Sequence, residues 1–225
     1  KRQELCNRYI ECDFLYDPIL CRTPSEYENK VSEDTQLLLG GEYAIVENID
    51  KNHLRFFIEQ PKDRMHIYMG QSDFDLPKLV YSELKNLSIE KDVVFGRTLT
   101  KYEKSFNDAS SGDKFFPFVK PFYKTFNRTK ICVGAPGTSL WYRLIFQIPT
   151  VVTITNINQL EICQNLEKSG YLILAPISWK NKPYTLNETI LNLMDEPSKI
   201  AQIQRKLKNC INLDGANKLL DTIGF

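Results

Sequence analysis

Residues 130–149 read KICVGAPGTSLWYRLIFQIP, a short apolar strand followed by a Gly/Pro/Thr/Ser turn and then by an amphipathic helix. Ile131–Val133 is the predicted strand and Gly134–Ser139 the turn. The helix has apolar residues at the spacing of one buried face: Leu140, Trp141, Leu144, Ile145 and Ile148. Unpaired N–H groups at such a helix start favour phosphate or carboxylate. The segment therefore indicates an anion site or, with equal weight, an ordinary tight connection.

The chain from about residue 64 onward alternates strands with helices. The predicted strands are Met65–Met69, Asp92–Phe95, Ile131–Val133, Thr150–Ile154 and Tyr171–Leu174. The predicted helices are Leu76–Leu87, Ser139–Gln147, Asn158–Lys168, Tyr184–Met194, Lys199–Ile211 and Asp214–Ile223. This alternation predicts an α/β fold with a parallel sheet that is covered on both faces.

Residues 1–60 have a different pattern, with short strand-like pieces and few helices. These pieces are Asp13–Asp17, Gln36–Leu39 and Tyr43–Val46. The polar segment Gln60–Arg64 contains a proline, which suits a linker. We therefore predict a domain boundary there, with residues 1–60 as the end of one domain and residues 61–225 as a second.

Composition restricts the classes of partner. Lys and Arg number 29 against 28 Asp and Glu, so no overall field favours nucleic acid or a membrane surface. No apolar run reaches the ~20 residues of a membrane span, and no signal-peptide core is visible, so we expect a soluble, cytoplasmic protein. Six cysteines lie scattered without a C-x-x-C pair, and only two histidines occur. We expect buried free thiols at Cys132 and Cys163, no metal site and no cofactor.

Five segments resemble, in order and spacing, the sugar-nucleotide hydrolases of pseudaminic acid biosynthesis. The segments are Gln36–Val46, Met69–Asp73, Gly134–Pro149, Asn158-Gln159 and Leu213–Asn217. Those enzymes look like relatives of spore-coat polysaccharide proteins and of the lipid II glycosyltransferase, and they have the GT-B glycosyltransferase fold. The resemblance implies a C-terminal, nucleotide-sugar-binding Rossmann-like domain at 61–225 and the end of an N-terminal Rossmann-like domain at 1–60.

The resemblance also implies a site for a nucleotide sugar, UDP-linked in that family. The implied nucleotide-binding residues are Gly70, Gln71, Ser72, Asp73, Gly134, Pro136, Gly137, Thr138, Ser139, Tyr142, Asn158 and Gln159. The turns after Met69 and Val133 are expected at the carboxyl edge of one parallel sheet, where open α/β sheets bind ligands. Helix capping is the alternative role for Ser72 or Asp73 and for the pair Asn158-Gln159.

Two features depart from the family pattern. Tyr142 stands where the family has a ribose-binding Glu, and a phenol cannot accept two hydrogen bonds from a diol as a carboxylate does. We therefore expect recognition by stacking at that position. The Gly-x-Gly-His loop that carries the proposed catalytic His of the hydrolases does not occur in these residues. The chain is then expected to be a fragment of a longer protein, lacking an N-terminal part, or a reduced relative.

Three functions fit these patterns. The first is the nucleotide-sugar-binding portion of a hydrolase acting on UDP-2,4-diacetamido-2,4,6-trideoxy-hexoses in nonulosonic acid or surface polysaccharide biosynthesis. The second is a GT-B glycosyltransferase that uses a nucleotide sugar, and the third is a non-catalytic binding or scaffold module of the same fold. No histidine cluster marks a cation site, which favours a metal-independent reaction. The catalytic residues stay unassigned.

We expect purified residues 1–225 to release no UDP from UDP-sugars above the enzyme-free rate, because the quoted motifs contain no positioned general base. Chromatographic measurement of UDP release tests this expectation. Robust turnover by this chain would contradict it.

Overall fold

The computed structural model describes residues 9–70, 75–96, 112–176 and 184–224. The strands are β1 (Phe14–Asp17), β2 (Gln36–Leu39), β3 (Arg64–Tyr68), β4 (Glu90–Phe95), β5 (Lys114–Pro117), β6 (Thr129–Gly134), β7 (Thr150–Val152) and β8 (Ile173–Leu174). The α-helices are α1 (Lys51–Glu59), α2 (Asp75–Leu84), α3 (Ser139–Ile145), α4 (Leu160–Lys168), α5 (Tyr184–Met194), α6 (Pro197–Leu207) and α7 (Gly215–Ile223).

The chain divides into two compact units. The first contains the residues up to Ile49 together with those from Asn209 onward, and the second runs from Asp50 to Lys208. This division groups α1 with the second unit and α7 with the first. The assignment of residues 1–60 to the end of an N-terminal Rossmann-like domain remains a prediction.

The first unit contains a two-stranded parallel sheet, in which β1 pairs with β2 from Phe14↔Gln36 to Asp17↔Leu39. The end of the chain packs tightly against the segment after β2. A Cβ atom on Gly41 would lie 2.1 Å from the carbonyl oxygen of Cys210, and one on Gly215 would lie 2.5 Å from that of Ala44. Glycine is therefore required on both sides of this contact.

The predicted strand at Tyr43–Val46 is wrong. Residues Gly41–Tyr43 form a single 3-10 turn, in which the N–H of Tyr43 donates to the carbonyl of Gly40 at 3.2 Å. Gly40 has φ +80°, a left-handed conformation that starts this turn. The backbone hydrogen bonds are consequently local, although the apolar run Tyr43–Val46 resembled a strand.

The second unit is built on a six-stranded sheet in the order β5-β4-β3-β6-β7-β8. Every pair in it is parallel, which confirms the predicted parallel sheet. All five residues of β3 are buried, and because successive side chains point to opposite faces, both faces of the sheet are covered there. Relative to the prediction, β5 and α1 are new elements.

Aromatic side chains pack the two elements that were not predicted, α1 and β5, against their neighbours in the second unit. Phe57 of α1 packs edge-on against Phe146 at 5.2 Å between ring centroids, and Phe115 of β5 packs against Tyr81 of α2 at 5.2 Å.

Cys132 and Cys163 are buried and free, as predicted. None of the helices in the described segments has both the length and the apolarity that crossing a bilayer requires.

A buried ion pair links the first residue of β3 to β4. The guanidinium of Arg64 donates to both carboxylate oxygens of Asp92, at 2.9 and 2.8 Å, and to the carbonyl of Gly112 at 2.9 Å. The Asp92 side chain is only 3% exposed, and burial raises its pKa although Arg64 opposes this effect. Arg64 also pairs with Glu90, whose side chain is 59% exposed, so removing Asp92 would leave the buried guanidinium with only this solvent-exposed counter-charge.

We expect Asp92→Ala to lower the free energy of unfolding by about 3 kcal/mol or more, the cost of breaking a buried pair. The matched control is Asp63→Ala, which removes the partner of Arg128 from a pair that is about half exposed on both sides. That change should cost less than about 1 kcal/mol. Urea unfolding of the two variants measures both values, and equal losses would contradict a special role for the buried pair.

Candidate functional site

The strand order reverses between β3 and β6. The chain builds outward from β3 through β4 to β5 on one side, and from β6 through β7 to β8 on the other. In open parallel sheets, ligands bind outside the carboxyl ends of the strands at this reversal, the topological switch point. Tyr68 pairs with Gly134 there, and the N–H of Ala135 donates to the carbonyl of Tyr68 at 3.3 Å.

The structure brings two of the predicted turns to this edge. Gly70 follows β3, and the turn Gly134–Ser139 follows β6, as the sequence predicted. Gly70 has φ +86°, in the left-handed region that favours glycine. Gln71, Ser72 and Asp73 lie outside the described residues, so their predicted contacts with a ligand remain predictions.

Three backbone N–H groups of the turn Gly134–Ser139 have no acceptor among the described residues. Pro136 has no N–H group, and among the described residues the N–H groups of Gly137, Thr138 and Ser139 donate to no protein acceptor. Gly137 and Thr138 are exposed, so these groups are accessible to solvent. The arrangement offers three backbone donors and two hydroxyl groups to an anion.

Gly134 permits the close approach on which this turn is built. A Cβ atom at residue 134 would lie 2.5 Å from the carbonyl oxygen of Tyr68 and 2.5 Å from Nη1 of Arg143. A Cβ atom at Gly137 would meet no atom within 4 Å. The two glycines therefore differ: the first is required for packing, whereas the second leaves open space at the surface.

Arg143 is the residue of this site that sequence reasoning missed. Its side chain is 1% exposed and lies beneath the turn. Nη2 donates to the carbonyl of Ala135 at 2.5 Å and to the hydroxyl oxygen of Ser139 at 3.1 Å, and Nε donates to the carbonyl of Ser139 at 3.2 Å. Nη1 is buried without a partner. Its position three residues after Leu140, on the apolar face of α3, was the available signal in the sequence.

The surroundings of Arg143 carry no negative charge among the described residues. Burial lowers the pKa of the guanidinium to about 10, so it stays protonated at neutral pH. Burial raises the pKa of Cys132 to about 12 and that of Cys163 to about 11, so both neighbouring thiols are neutral. Burial likewise raises the pKa of the Tyr68 hydroxyl.

Tyr142 points from α3 toward an aromatic cluster. Its ring centroid lies 6.2 Å from that of Phe122 and 6.3 Å from that of Tyr123, and the side chain is half-buried. The predicted stacking of Tyr142 on a nucleotide remains a prediction.

Asn158 and Gln159 follow β7 and precede α4. The side-chain oxygen of Gln159 accepts from the N–H of Thr155 at 3.1 Å and from the N–H of Asn156 at 3.2 Å. This oxygen is used in a capping box, which favours the capping alternative for Gln159. Asn158 is exposed, and contact of either residue with a ligand remains a prediction.

His66 lies within β3 rather than at the edge of the sheet. Its Nε2 is 2.9 Å from the hydroxyl oxygen of Thr125, and burial lowers its pKa to about 3. Thr125 donates its own proton to the carbonyl of Phe122 at 2.8 Å, so Nε2 of His66 is the donor to Thr125. Within the described ranges, no group of His, Cys, Asp and Glu is arranged to hold a metal ion.

No family model matches this chain, and no curated protein matches it. Solved structures do. The spinosyn forosaminyltransferase SpnP is 13% identical with a TM-score of 0.61, over 94% of this chain and 55% of its own. The spinosyn rhamnosyltransferase SpnG, complexed with spinosyn aglycone, is 13% identical with a TM-score of 0.59, over 85% and 54%. The glycosyltransferase SsfS6 of Streptomyces sp. SF2575, complexed with thymidine diphosphate, is 14% identical with a TM-score of 0.57, over 93% and 51%.

These likenesses define the class of fold. The chain is an α/β protein with a GT-B-like fold, and it spans about half the length of these glycosyltransferases. They support that fold but not the narrower family of pseudaminic acid hydrolases. At this level of identity, the activity of the neighbours is not transferred with the fold.

We expect Gly134→Ala to destabilise the protein by about 1–3 kcal/mol, because the new methyl group would overlap the Tyr68 carbonyl and displace Arg143. Gly137→Ala is the matched control and should change the free energy of unfolding by no more than about 0.5 kcal/mol. Urea titrations of both variants provide the comparison. A neutral Gly134→Ala would show that the two strands can move apart at no cost.

Proposed function

We propose that this chain is the nucleotide-sugar-binding part of a GT-B glycosyltransferase. The observation that carries the proposal is the turn Gly134–Ser139, which presents three N–H groups, without an acceptor in the described part of the chain, at the topological switch point between β3 and β6. SsfS6 and SpnG have both been seen complexed with thymidine diphosphate. A diphosphate is the kind of ligand that such donors suit.

The proposed chemistry is the transfer of a sugar from a nucleoside diphosphate to an acceptor. A hydroxyl or amine of the acceptor attacks the anomeric carbon, and the bond from that carbon to the diphosphate oxygen breaks. Negative charge then grows on the departing diphosphate. Donors fixed before the reaction, such as the N–H groups of Gly137 and Thr138, would stabilise that charge without reorganisation.

UDP and thymidine diphosphate are the two candidate nucleotides for this site. The sequence resemblance implies UDP, whereas the bound nucleotides named for the structural neighbours are thymidine diphosphate. The two differ in the 2′-hydroxyl of the ribose and in a methyl group on the base. Tyr142 replaces the family's ribose-binding Glu, and its phenol cannot accept two hydrogen bonds from a ribose diol as a carboxylate does. This replacement favours a thymidine diphosphate donor, because its deoxyribose lacks the 2′-hydroxyl and so presents no diol.

We propose that residues 1–60 are the end of an N-terminal Rossmann-like domain. Parallel sheets are normally covered on both faces, yet Phe14 and Tyr16 of β1 are 40% and 39% exposed. A sheet of two parallel strands is also small. Further strands of the same enzyme would complete it, which agrees with the half-length match to the glycosyltransferases.

Hydrolysis is the narrower alternative, in which water takes the place of the acceptor. The sequence resemblance names UDP-2,4-diacetamido-2,4,6-trideoxy-hexoses as the substrates in that case. Both reactions need the same diphosphate site, so binding measurements come first and product analysis separates the two.

The experiment is a thermal-shift and calorimetric screen of this chain against UDP, dTDP, CMP and GDP. We expect UDP or dTDP to stabilise the protein, since a ligand at ~100 times its dissociation constant adds about 2.7 kcal/mol to the free energy of unfolding. Absence of binding by all four would argue for a non-catalytic module of the same fold.

We expect Gly137→Val to weaken binding of the nucleotide found in that screen by about tenfold, because a branched side chain would block the approach of phosphate to the turn. The melting temperature without nucleotide should stay unchanged, since a Cβ atom there meets open space. Calorimetry on both proteins tests this. Equal affinity would mean that the turn is only a connection.

A further inference from the structure

No described residue places a negative charge beside the buried guanidinium of Arg143. Its guanidinium meets only neutral oxygens, those of Ala135 and Ser139, and Nη1 meets none. No described carboxylate forms an ion pair with it. An ion buried in this way costs several kcal/mol unless a charge of opposite sign lies close.

The location of this charge is specific. Nη1 lies next to Gly134 at the carboxyl end of β6, close enough that a Cβ atom there would be 2.5 Å from it. The same point is 2.5 Å from the carbonyl oxygen of Tyr68, the last residue of β3. The cation therefore lies close to the carboxyl ends of the two strands that flank the switch point.

The hydrogen bonds of Arg143 also fix the shape of the turn. Ala135 and Ser139 stand at either end of Pro136–Thr138, and one guanidinium binds both. A planar guanidinium with several fixed donors holds such a geometry better than a flexible ammonium group. Arg143 thus combines a fixed positive charge with a clamp on the residues that present the free N–H groups.

We propose that Arg143 is a positioning residue that makes the turn Gly134–Ser139 selective for a diphosphate group. The guanidinium does not touch the ligand; it acts by its field and by holding the turn. The inference deepens the proposed function, since the ligand is the diphosphate of the nucleotide sugar. Affinity should rise with phosphate charge, from nucleoside to nucleoside diphosphate, and this rise should depend on Arg143.

The test compares binding of UDP and dTDP with binding of uridine and thymidine, by calorimetry, in the wild-type chain and in Arg143→Met and Arg143→Lys. We expect Arg143→Met to weaken diphosphate binding by about tenfold or more and nucleoside binding by less than about threefold. Arg143→Lys, which keeps the charge but loses the clamp, should retain part of the preference and also covers the case in which the Met variant does not fold.

The matched control is Lys91→Met, which removes another buried cation of the same sheet. Lys91 is 1% exposed, and its ammonium group donates to the carbonyls of Leu87 and Ile89 at 2.9 and 2.6 Å, at the amino end of β4. This variant should lose stability without losing the preference for diphosphates. An equal loss of preference in Lys91→Met would overturn the proposal, because general destabilisation would then explain the effect.

Inorganic pyrophosphate separates this inference from the proposed function. Stabilisation of the wild-type chain by pyrophosphate that Arg143→Met abolishes would support the inference even where no nucleotide binds, in which case the proposed function alone fails. Nucleotide binding with the same diphosphate preference in both Arg143 variants would overturn the inference and leave the function standing. No stabilisation by pyrophosphate or nucleotide would overturn both.

Discussion

The close contact between β3 and β6 at their carboxyl ends is the constraint on which the second unit depends. Gly134 lets the two backbones approach, and the space left by its missing side chain is shared by the Tyr68 carbonyl and the Arg143 guanidinium. The same contact lies at the reversal of strand order, where neighbouring connections run to opposite sides of the sheet. Gly134 therefore determines how the two strands pack, where the Arg143 guanidinium lies and where the turn begins.

Two buried cations of this sheet are stabilised in different ways. Arg64 at the amino end of β3 is neutralised by Asp92, whereas Arg143 at the opposite edge meets only neutral oxygens. The first arrangement is complete within the protein, and it stabilises the join between two strands. Among the described residues, the second has an unused donor and an unbalanced charge, which is the difference expected between a structural ion pair and a site prepared for an external anion.

The sequence was sufficient for the parallel α/β architecture, because apolar runs and amphipathic helices follow directly from burial. It was insufficient where local pattern and packing disagree. The strand β5 is short and ends at Pro117, so its alternation is too brief to recognise. The segment Tyr43–Val46 is apolar and β-branched like a strand, yet Gly40 starts a local turn. Arg143 lies on an apolar helical face, and only the structure shows that its charge reaches beneath the turn. Nothing in a single sequence separates Gly137 from Gly134, because their difference lies entirely in what surrounds them.

The contact of Gly41 with Cys210 has a consequence for the order of events during synthesis. The neighbouring pair Glu42 and Asn212 is separated by 170 positions along the chain, an interval of roughly ten to thirty seconds of translation. The second unit, Asp50 to Lys208, is synthesised entirely within that interval. It can begin to fold before residues 209–224 are made, whereas the segment after β2 must wait for the residues that pack against Gly41 and Ala44. Of these two units, the one whose synthesis begins first is therefore the one that is completed last.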